Sequence, residues 1–315
     1  MGAMSPDTTD FKRLFERELG KPLRAGTPLR EYAFFRIGGP ADLFFEAATR
    51  RDLKLSVSLA QASGLRFCVI GAGSNLLFDD DGFRGLVIRN DVRGIEEGRG
   101  DGTVVAASGT PLEALTEFAA ARGMTGLEFL AGIPGTVGGA VFGNAGAFGR
   151  SIADVLAEAS LLGSEAREVR AARDYFSFSY RHSRLKTKPE VLLGAEFRLE
   201  SGTSSLIRAK MDEILALRAA RHPARTTAYP GSYFKNPVLP DGCRKAAGLL
   251  LDQAGVRGLR SGGAAVFAGH CNFIINEGGA TAADVLALAA EMKTRVYEKF
   301  GVSLEEEVIF LPASA

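Results

Sequence analysis

Between Gly132 and Gly149 the chain runs Gly-Ile-Pro-Gly-Thr-Val-Gly-Gly-Ala-Val-Phe-Gly-Asn-Ala-Gly-Ala-Phe-Gly, and few folds can absorb such a segment. Glycine this dense is costly in conformational entropy unless the backbone wraps something or takes up positive φ repeatedly. A disordered linker would account for the glycines, but not for the interleaved Ile133, Val137, Val141, Phe142 and Phe148. An ordered glycine loop packed on a core is therefore expected. A second one, Gly71-Ala72-Gly73-Ser74-Asn75, directly follows the apolar run Phe67–Ile70. Successive amides in such a turn can form an anion-binding nest, to which Ser74 and Asn75 would add side-chain hydrogen bonds. It is not a dinucleotide-binding βαβ fingerprint, because Leu76 stands where the third glycine belongs and Leu76 to Gly82 reads as a short strand and turn, not a helix. For the pentapeptide alone, a tight turn and a diphosphate cradle are equally open. Two separated, ordered glycine loops suit a long ligand such as a dinucleotide.

Helix and strand signals alternate along the rest of the chain, which places it among mixed α and β folds. Helices are expected over about 11–19, 52–62 and 205–218, and strands over 43–48, 67–70, 86–88, 104–106, 155–162, 191–199 and 308–311. Thr110, Pro111 and Glu113 read as a capping box opening a helix that Gly123 ends. Thr281 with Asp284 caps another, carrying Val285, Leu288, Ala289, Met292 and Val296 at helical spacing and closed by Gly301. Charge and glycine accumulate from Asp91 to Asp101, marking a subdomain boundary, and the Pro- and Gly-punctuated stretch from His222 to Gly242 reads as loop opening a further domain.

Composition narrows the function. The 315 residues are 46% hydrophobic and 24% charged with a net charge of +1, which lacks the basic excess of a nucleic-acid protein. An anionic ligand would have to be held by local features. Three cysteines (Cys68, Cys243, Cys271) without metal or Cys-x-x-Cys spacing fit a reduced, cytoplasmic chain. Three histidines (His182, His222, His270) without paired spacing offer no metal site. No apolar run has membrane-spanning length and no secretory signal opens the chain, whose first residues, Met-Gly-Ala-Met-Ser, read as a cloning remnant.

Arg36-Ile37-Gly38-Gly39-Pro40-Ala41, the Gly71–Leu77 loop and the Gly132–Gly149 loop, in this order and spacing, resemble the UDP-N-acetylenolpyruvoylglucosamine reductase family. Three further segments join them: Tyr180-Arg181-His182-Ser183, Gly231-Ser232-Tyr233-Phe234-Lys235-Asn236-Pro237 and Glu307-Val308. Alone, each has an ordinary explanation: a solvated arginine, a turn-forming serine, an acidic edge. Together they extend the resemblance over nearly all the chain from about Arg30 to Phe310. It implies an α+β architecture: a two-subdomain FAD-binding fold of the vanillyl-alcohol-oxidase type plus a C-terminal α+β substrate domain. The boundaries would be 11–90 (completed by a strand within 307–315), 91–221 and 222–306. It implies non-covalent FAD held by Arg36, Gly38, Gly71, Gly73, Ser74, Asn75, Leu76, Gly132, Ile133, Gly135, Thr136, Gly139, Asn144 and Gly146, with NADPH as co-substrate.

By the same resemblance the reaction is reduction of an enolpyruvyl ether of UDP-N-acetylglucosamine to the lactyl ether. Hydride comes from the flavin and a proton from Ser232, while Arg181 and a protonated Glu307 polarise the substrate carboxylate. Tyr180, Lys235 and Asn236 would bind substrate. A guanidinium fork suits a carboxylate on which charge grows. Serine is a poor acid, adequate only because the developing carbanion is strongly basic and the geometry is fixed. Three departures from the family pattern stand out: Phe142-Gly143 for Tyr-Met before Asn144, His222-Pro223 for Gln-Pro, and Ile309 for arginine after Glu307-Val308. The absence of an extra tyrosine-bearing loop implies the shorter-form subclass. A flavin oxidase of the same fold would call for a His or Cys in the cofactor loops, and neither loop has one. A non-catalytic flavin module would have no reason to keep Arg181, Ser232 and Glu307 together.

Overall fold

A computed structural model describes residues 6–163, 167–224 and 226–314, so the opening pentapeptide lies outside the described residues. The chain divides into two compact units. The first takes in the residues through Gly26, Asp42–Ala72 and Gly85–Arg218; the second takes in Thr27–Ala41, Gly73–Arg84 and the residues from Ala219 onward.

In the first unit, α1 (Pro6–Leu19) and α2 (Arg50–Ala62) pack on a four-stranded sheet ordered Arg24–Pro28, Pro40–Ala47, Phe83–Asn90, Phe67–Ile70. Phe67–Ile70 runs parallel to Phe83–Asn90, with Cys68 opposite Val87. Phe11, Phe15 and Leu19 of α1 meet Leu53, Val57 and Ala60 of α2 over Leu43, Phe45, Leu86 and Ile88 of the sheet. The apolar residues of α1 recur every four positions, so they share the buried stripe of a helix. The second sheet of this unit is antiparallel, ordered Glu168–Ala172, Leu156–Leu162, Val191–Arg198, Thr103–Ala107, Ile95–Glu97. It shares a core with α3 (Leu112–Ala121) and α4 (Val137–Gly143), and α5 (Ser204–Ala219) buries Ile207, Met211 and Ile214 against Ala120 and Ala131.

Two expectations change here. The Thr110–Glu113 capping box does not form: Pro111 is the N-cap of α3 and makes no side-chain cap bond. The buried Thr110 hydroxyl instead accepts from Gly94 N–H at 3.1 Å and donates to Gly94 C=O at 3.0 Å. The Gly132–Gly149 segment is not all loop either, because α4 lies inside it. Val137, Ala140 and Val141 are buried at helical spacing, and that packing overrides the poor helix propensity of the glycines.

The second unit holds α6 (Ala247–Gln253), α7 (Ala282–Phe300) and a three-stranded antiparallel sheet of Arg260–Ser261, Ala264–Val266 and Ile274–Asn276. A parallel pair joins Leu76–Phe78 to Ile309–Leu311. The buried face of α7 (Val285, Leu288, Ala289, Met292, Val296) packs in one core with Leu77, Tyr233, Phe234 and Val308. Its N-terminus is fully capped. Asp284 N–H donates to the Thr281 hydroxyl at 3.0 Å, and the Asp80 carboxylate accepts from Ala282 and Ala283 N–H at 2.7 and 3.1 Å. Gly301 at φ 65° ends it, a conformation that would strain any residue with a Cβ.

Thr110→Val, which keeps the shape and removes the hydroxyl, should cost about 1 kcal/mol in urea unfolding through the two lost Gly94 bonds. Glu113→Ala should change stability by less than about 0.5 kcal/mol. Equal losses in the two variants would restore the capping box.

Candidate functional site

The positions expected to bind FAD, substrate and protons fall into one group in each unit. In the first unit the group is built around Asn144. Asn144 ends α4 in the left-handed region at φ 45°, where a short amide side chain is tolerated better than most. It is buried, and both halves of its amide are used: Oδ1 accepts from Ala153 N–H at 3.0 Å, and Nδ2 donates to Ser179 C=O at 2.9 Å. Ser179 opens a two-residue turn, since Ser179 and His182 exchange backbone hydrogen bonds at 3.1 Å each. Tyr180 and Arg181 are its central residues. Arg181 sits at φ 56°, where glycine is usual and a branched, bulky residue is strained. Its guanidinium donates to Gly146 C=O at 2.9 Å, and the buried Ser183 hydroxyl donates to Phe142 C=O at 2.7 Å. The turn carrying Arg181 is thus fastened to the glycine segment at three points.

The glycines of this unit act through close approach. A Cβ on Gly71 would lie 2.4 Å from the Thr136 hydroxyl. Gly132 and Gly135 have φ of 74° and 148°, and Gly135 C=O accepts from Leu112 N–H at 3.0 Å. Ile133 packs at the edge of the core. The amides opening α4 are not available to an anion. Val137 N–H donates to Thr110 C=O at 2.9 Å, Gly138 N–H to Ser108 C=O at 2.7 Å, and Gly139 N–H to the Thr136 hydroxyl at 3.4 Å.

The group in the second unit contrasts with this. The backbone N–H groups of Gly73, Ser74 and Asn75 have no acceptor among the described residues. Gly73 lies at φ 67°, and a Cβ there would be 1.9 Å from Tyr32 C=O, so the turn requires glycine. Three successive unpartnered amides after a left-handed glycine match the donor set a diphosphate needs, and these residues fit FAD in that respect. Gly38 is held equally closely, with a Cβ position 2.7 Å from the Phe78 Cβ, and Arg36 stands exposed beside it at φ 54°.

Asn75 and Leu76 link this loop to Glu307. Asn75 Nδ2 donates to Glu307 C=O at 2.9 Å, Ile309 N–H donates to Asn75 C=O at 3.1 Å, and Leu76 pairs with Ile309. The position where the family carries arginine is therefore a half-buried strand residue here. Ser232 lies beside the same junction, because Glu307 N–H donates to Tyr233 C=O at 2.7 Å. Lys235 pairs with Glu305 at 2.9 Å and lowers the pKa of that carboxyl, while Lys293 pairs with Glu306 at 2.9 Å. Asn236 Oδ1 accepts from Ala247 N–H at 3.0 Å, so its amide oxygen opens α6. The residue that sequence reasoning passed over is Asn272. It is buried, and Phe234 N–H donates to its Oδ1 while its Nδ2 donates to Phe234 C=O, both at 2.9 Å. Its signal is an amide flanked by apolar residues in Cys271-Asn272-Phe273, a place where polarity requires a partner.

His270 is held among these residues by a hydrogen bond and a ring stack. Its Nδ1 accepts from Asn272 N–H at 3.2 Å, and its ring stacks on Phe273 at 4.4 Å. Burial lowers its pKa below the ordinary 6.5, with Arg221 and Arg257 acting in the same direction and Asp252 against. A lowered folded-state value means that the unfolded chain binds the proton first, so stability is lost as pH falls below 6.5. The urea midpoint should drop between about pH 7.5 and about pH 5.5, and His270→Gln should flatten that slope. An identical slope in the variant would contradict the assignment.

The chain is similar to known proteins over most of its length. Residues 222–311 match the family described as UDP-N-acetylenolpyruvoylglucosamine reductase, C-terminal domain, and residues 41–171 match an FAD binding domain. The reductase of that name from Latilactobacillus sakei is 42% identical, covering 91% of this chain and 92% of its own. That from Geobacter sulfurreducens is 40% identical over 93% and 95%. The crystal structure of the reductase from Thermus caldophilus superposes with a TM-score of 0.77 at 33% identity, covering 92% of this chain and all of the other. An α+β chain with an FAD-binding domain and this C-terminal domain, it belongs to the UDP-N-acetylenolpyruvoylglucosamine reductase family.

Proposed function

We propose that this protein reduces UDP-N-acetylglucosamine enolpyruvate to UDP-N-acetylmuramate with NADPH, a step in the synthesis of peptidoglycan precursors. The observation that carries the reading is the junction where Ser232 and Glu307 flank one hydrogen-bonded peptide, beside a glycine turn with three amides that have no acceptor among the described residues. Bound FAD would supply the hydride, which it takes from NADPH. The Gly73–Asn75 amides and the close-packed Gly38 and Gly71 backbones would hold it, together with Arg36, Leu76 and the segment carrying Gly132, Ile133, Gly135, Thr136, Gly139, Asn144 and Gly146.

The chain's own residues do the rest. Arg181, its backbone held at positive φ, presents a planar donor fork to the substrate carboxylate, on which negative charge builds as hydride adds to the terminal carbon. Glu307, in protonated form, supplies a further donor there. Ser232 holds the proton at Oγ and gives it to the carbon next to the carboxylate, completing the lactyl ether; solvent then restores the hydroxyl. Tyr180, Lys235 and Asn236 seat the rest of the substrate. The functional division would be 11–90 with 307–315 and 91–221 for FAD, and 222–306 for substrate. Among the described residues no helix is long and apolar enough to cross a membrane, and Cys68, Cys243 and Cys271 are free thiols. We assign the activity to the cytoplasm.

Ser232→Ala separates the two half-reactions. Reduction of the bound flavin by NADPH should stay near normal, while its reoxidation by the enolpyruvyl nucleotide should fall by about 10²-fold or more, the scale of a lost general acid. Equal loss in both would give Ser232 another role.

A further inference from the structure

Around Ser232 the chain forms no helix and only an isolated antiparallel bridge, Phe234 with Glu306, yet the backbones of Tyr233 and Phe234 are fully committed. Tyr233 N–H donates to Asn272 C=O at 2.8 Å, and Tyr233 C=O accepts from Glu307 N–H at 2.7 Å. Phe234 N–H and C=O bond the two ends of the Asn272 amide, each at 2.9 Å. Three of these four bonds come from Asn272, which is 3% exposed. The Tyr233 and Phe234 side chains are each 1% exposed, so neither can swing without opening the core. On the other side of Ser232, Gly231 sits at φ 93° with open space around its Cβ position. Ser232 is therefore free on one flank and clamped on the other. Glu307 hangs from the same clamp through Tyr233 C=O.

We infer that Asn272 is a positioning residue for proton transfer: it fixes the peptide from which both Ser232 and Glu307 are set. The inference rests on Ser232 being the proton donor. The choice of residue follows from the bonds. Phe234 requires an acceptor for its N–H and a donor for its C=O, side by side in a buried place, and only an amide side chain of this length offers both. An ionised aspartate is nearly the same shape but would set a second acceptor against Phe234 C=O, which is repulsive and leaves a buried group unpaired. A displacement of about 1 Å is enough to cost a proton transfer about 10²-fold.

Asn272→Asp tests this in the FAD-loaded protein by stopped flow. At about pH 8, flavin reoxidation by the enolpyruvyl nucleotide should slow by about 10²-fold relative to wild type, with reduction by NADPH within about twofold. The defect should shrink toward about pH 6, where a buried carboxyl regains its proton and donates again. Ser232→Ala/Asn272→Asp should lose far less than the two single losses multiplied together, since the residues act as a unit, with only the share of Glu307 left to lose. Parallel loss of both half-reactions, or additive losses in the double variant, would overturn the inference. If Ser232→Ala reoxidises at the wild-type rate, the proton-donor reading itself falls. If Ser232→Ala is crippled and Asn272→Asp is not, only the positioning role falls. Hydrogen exchange on the unmutated protein gives a check without substitution: the Tyr233 and Phe234 amides should be the slowest within 222–242, and fast exchange there would contradict the clamp.

Discussion

The second unit depends on the short parallel pairing of Leu76–Phe78 with Ile309–Leu311. The bond from Asn75 to Glu307 beside it spans 232 residues of sequence. Closing a loop that long costs roughly 5 kcal/mol of chain entropy, more than three residues of ladder can return. What offsets it is burial: Leu77, Val308 and Leu304 enter the same core as α7, at about 1.5–3 kcal/mol for each large side chain. The register of this pair is therefore functional as well as structural. A slip of one residue would turn Leu77 out of the core and carry Glu307 away from Tyr233 C=O.

Irregular backbone around both groups is held by asparagine. Asn144 fastens the glycine segment to the turn of Arg181, Asn75 fastens the second glycine loop to Glu307, and Asn272 fastens the peptide after Ser232. An amide can accept and donate at once, which is what a backbone outside helix and sheet lacks. Hydrophobic packing sets the elements, and these side chains set the angles of the segments between them.

Much of this was legible in the sequence, for identifiable reasons. The strand Phe67–Ile70 and the Thr281–Asp284 box of α7 are local codes: an apolar run ended by glycine, and a cap three residues from its partner. The special backbone at Gly73 could also be read, because only glycine meets it cheaply. What could not be read depended on distant partners. Thr110 shows the same local pattern as Thr281, but Gly94, sixteen residues away, takes its hydroxyl. The glycines of α4 argue against a helix until the core that buries Val137 and Val141 exists. Asn272 lies thirty-eight positions from the peptide it holds, and no spacing rule joins them.

The most direct test of the account is NADPH consumption under anaerobic conditions, with and without the enolpyruvyl nucleotide. Purified, flavin-loaded protein should oxidise NADPH beyond a single turnover only when the nucleotide is present, with one lactyl ether formed per NADPH. Anaerobic oxidation that stops at a single turnover with the nucleotide present, and resumes only when air is admitted, would contradict the account.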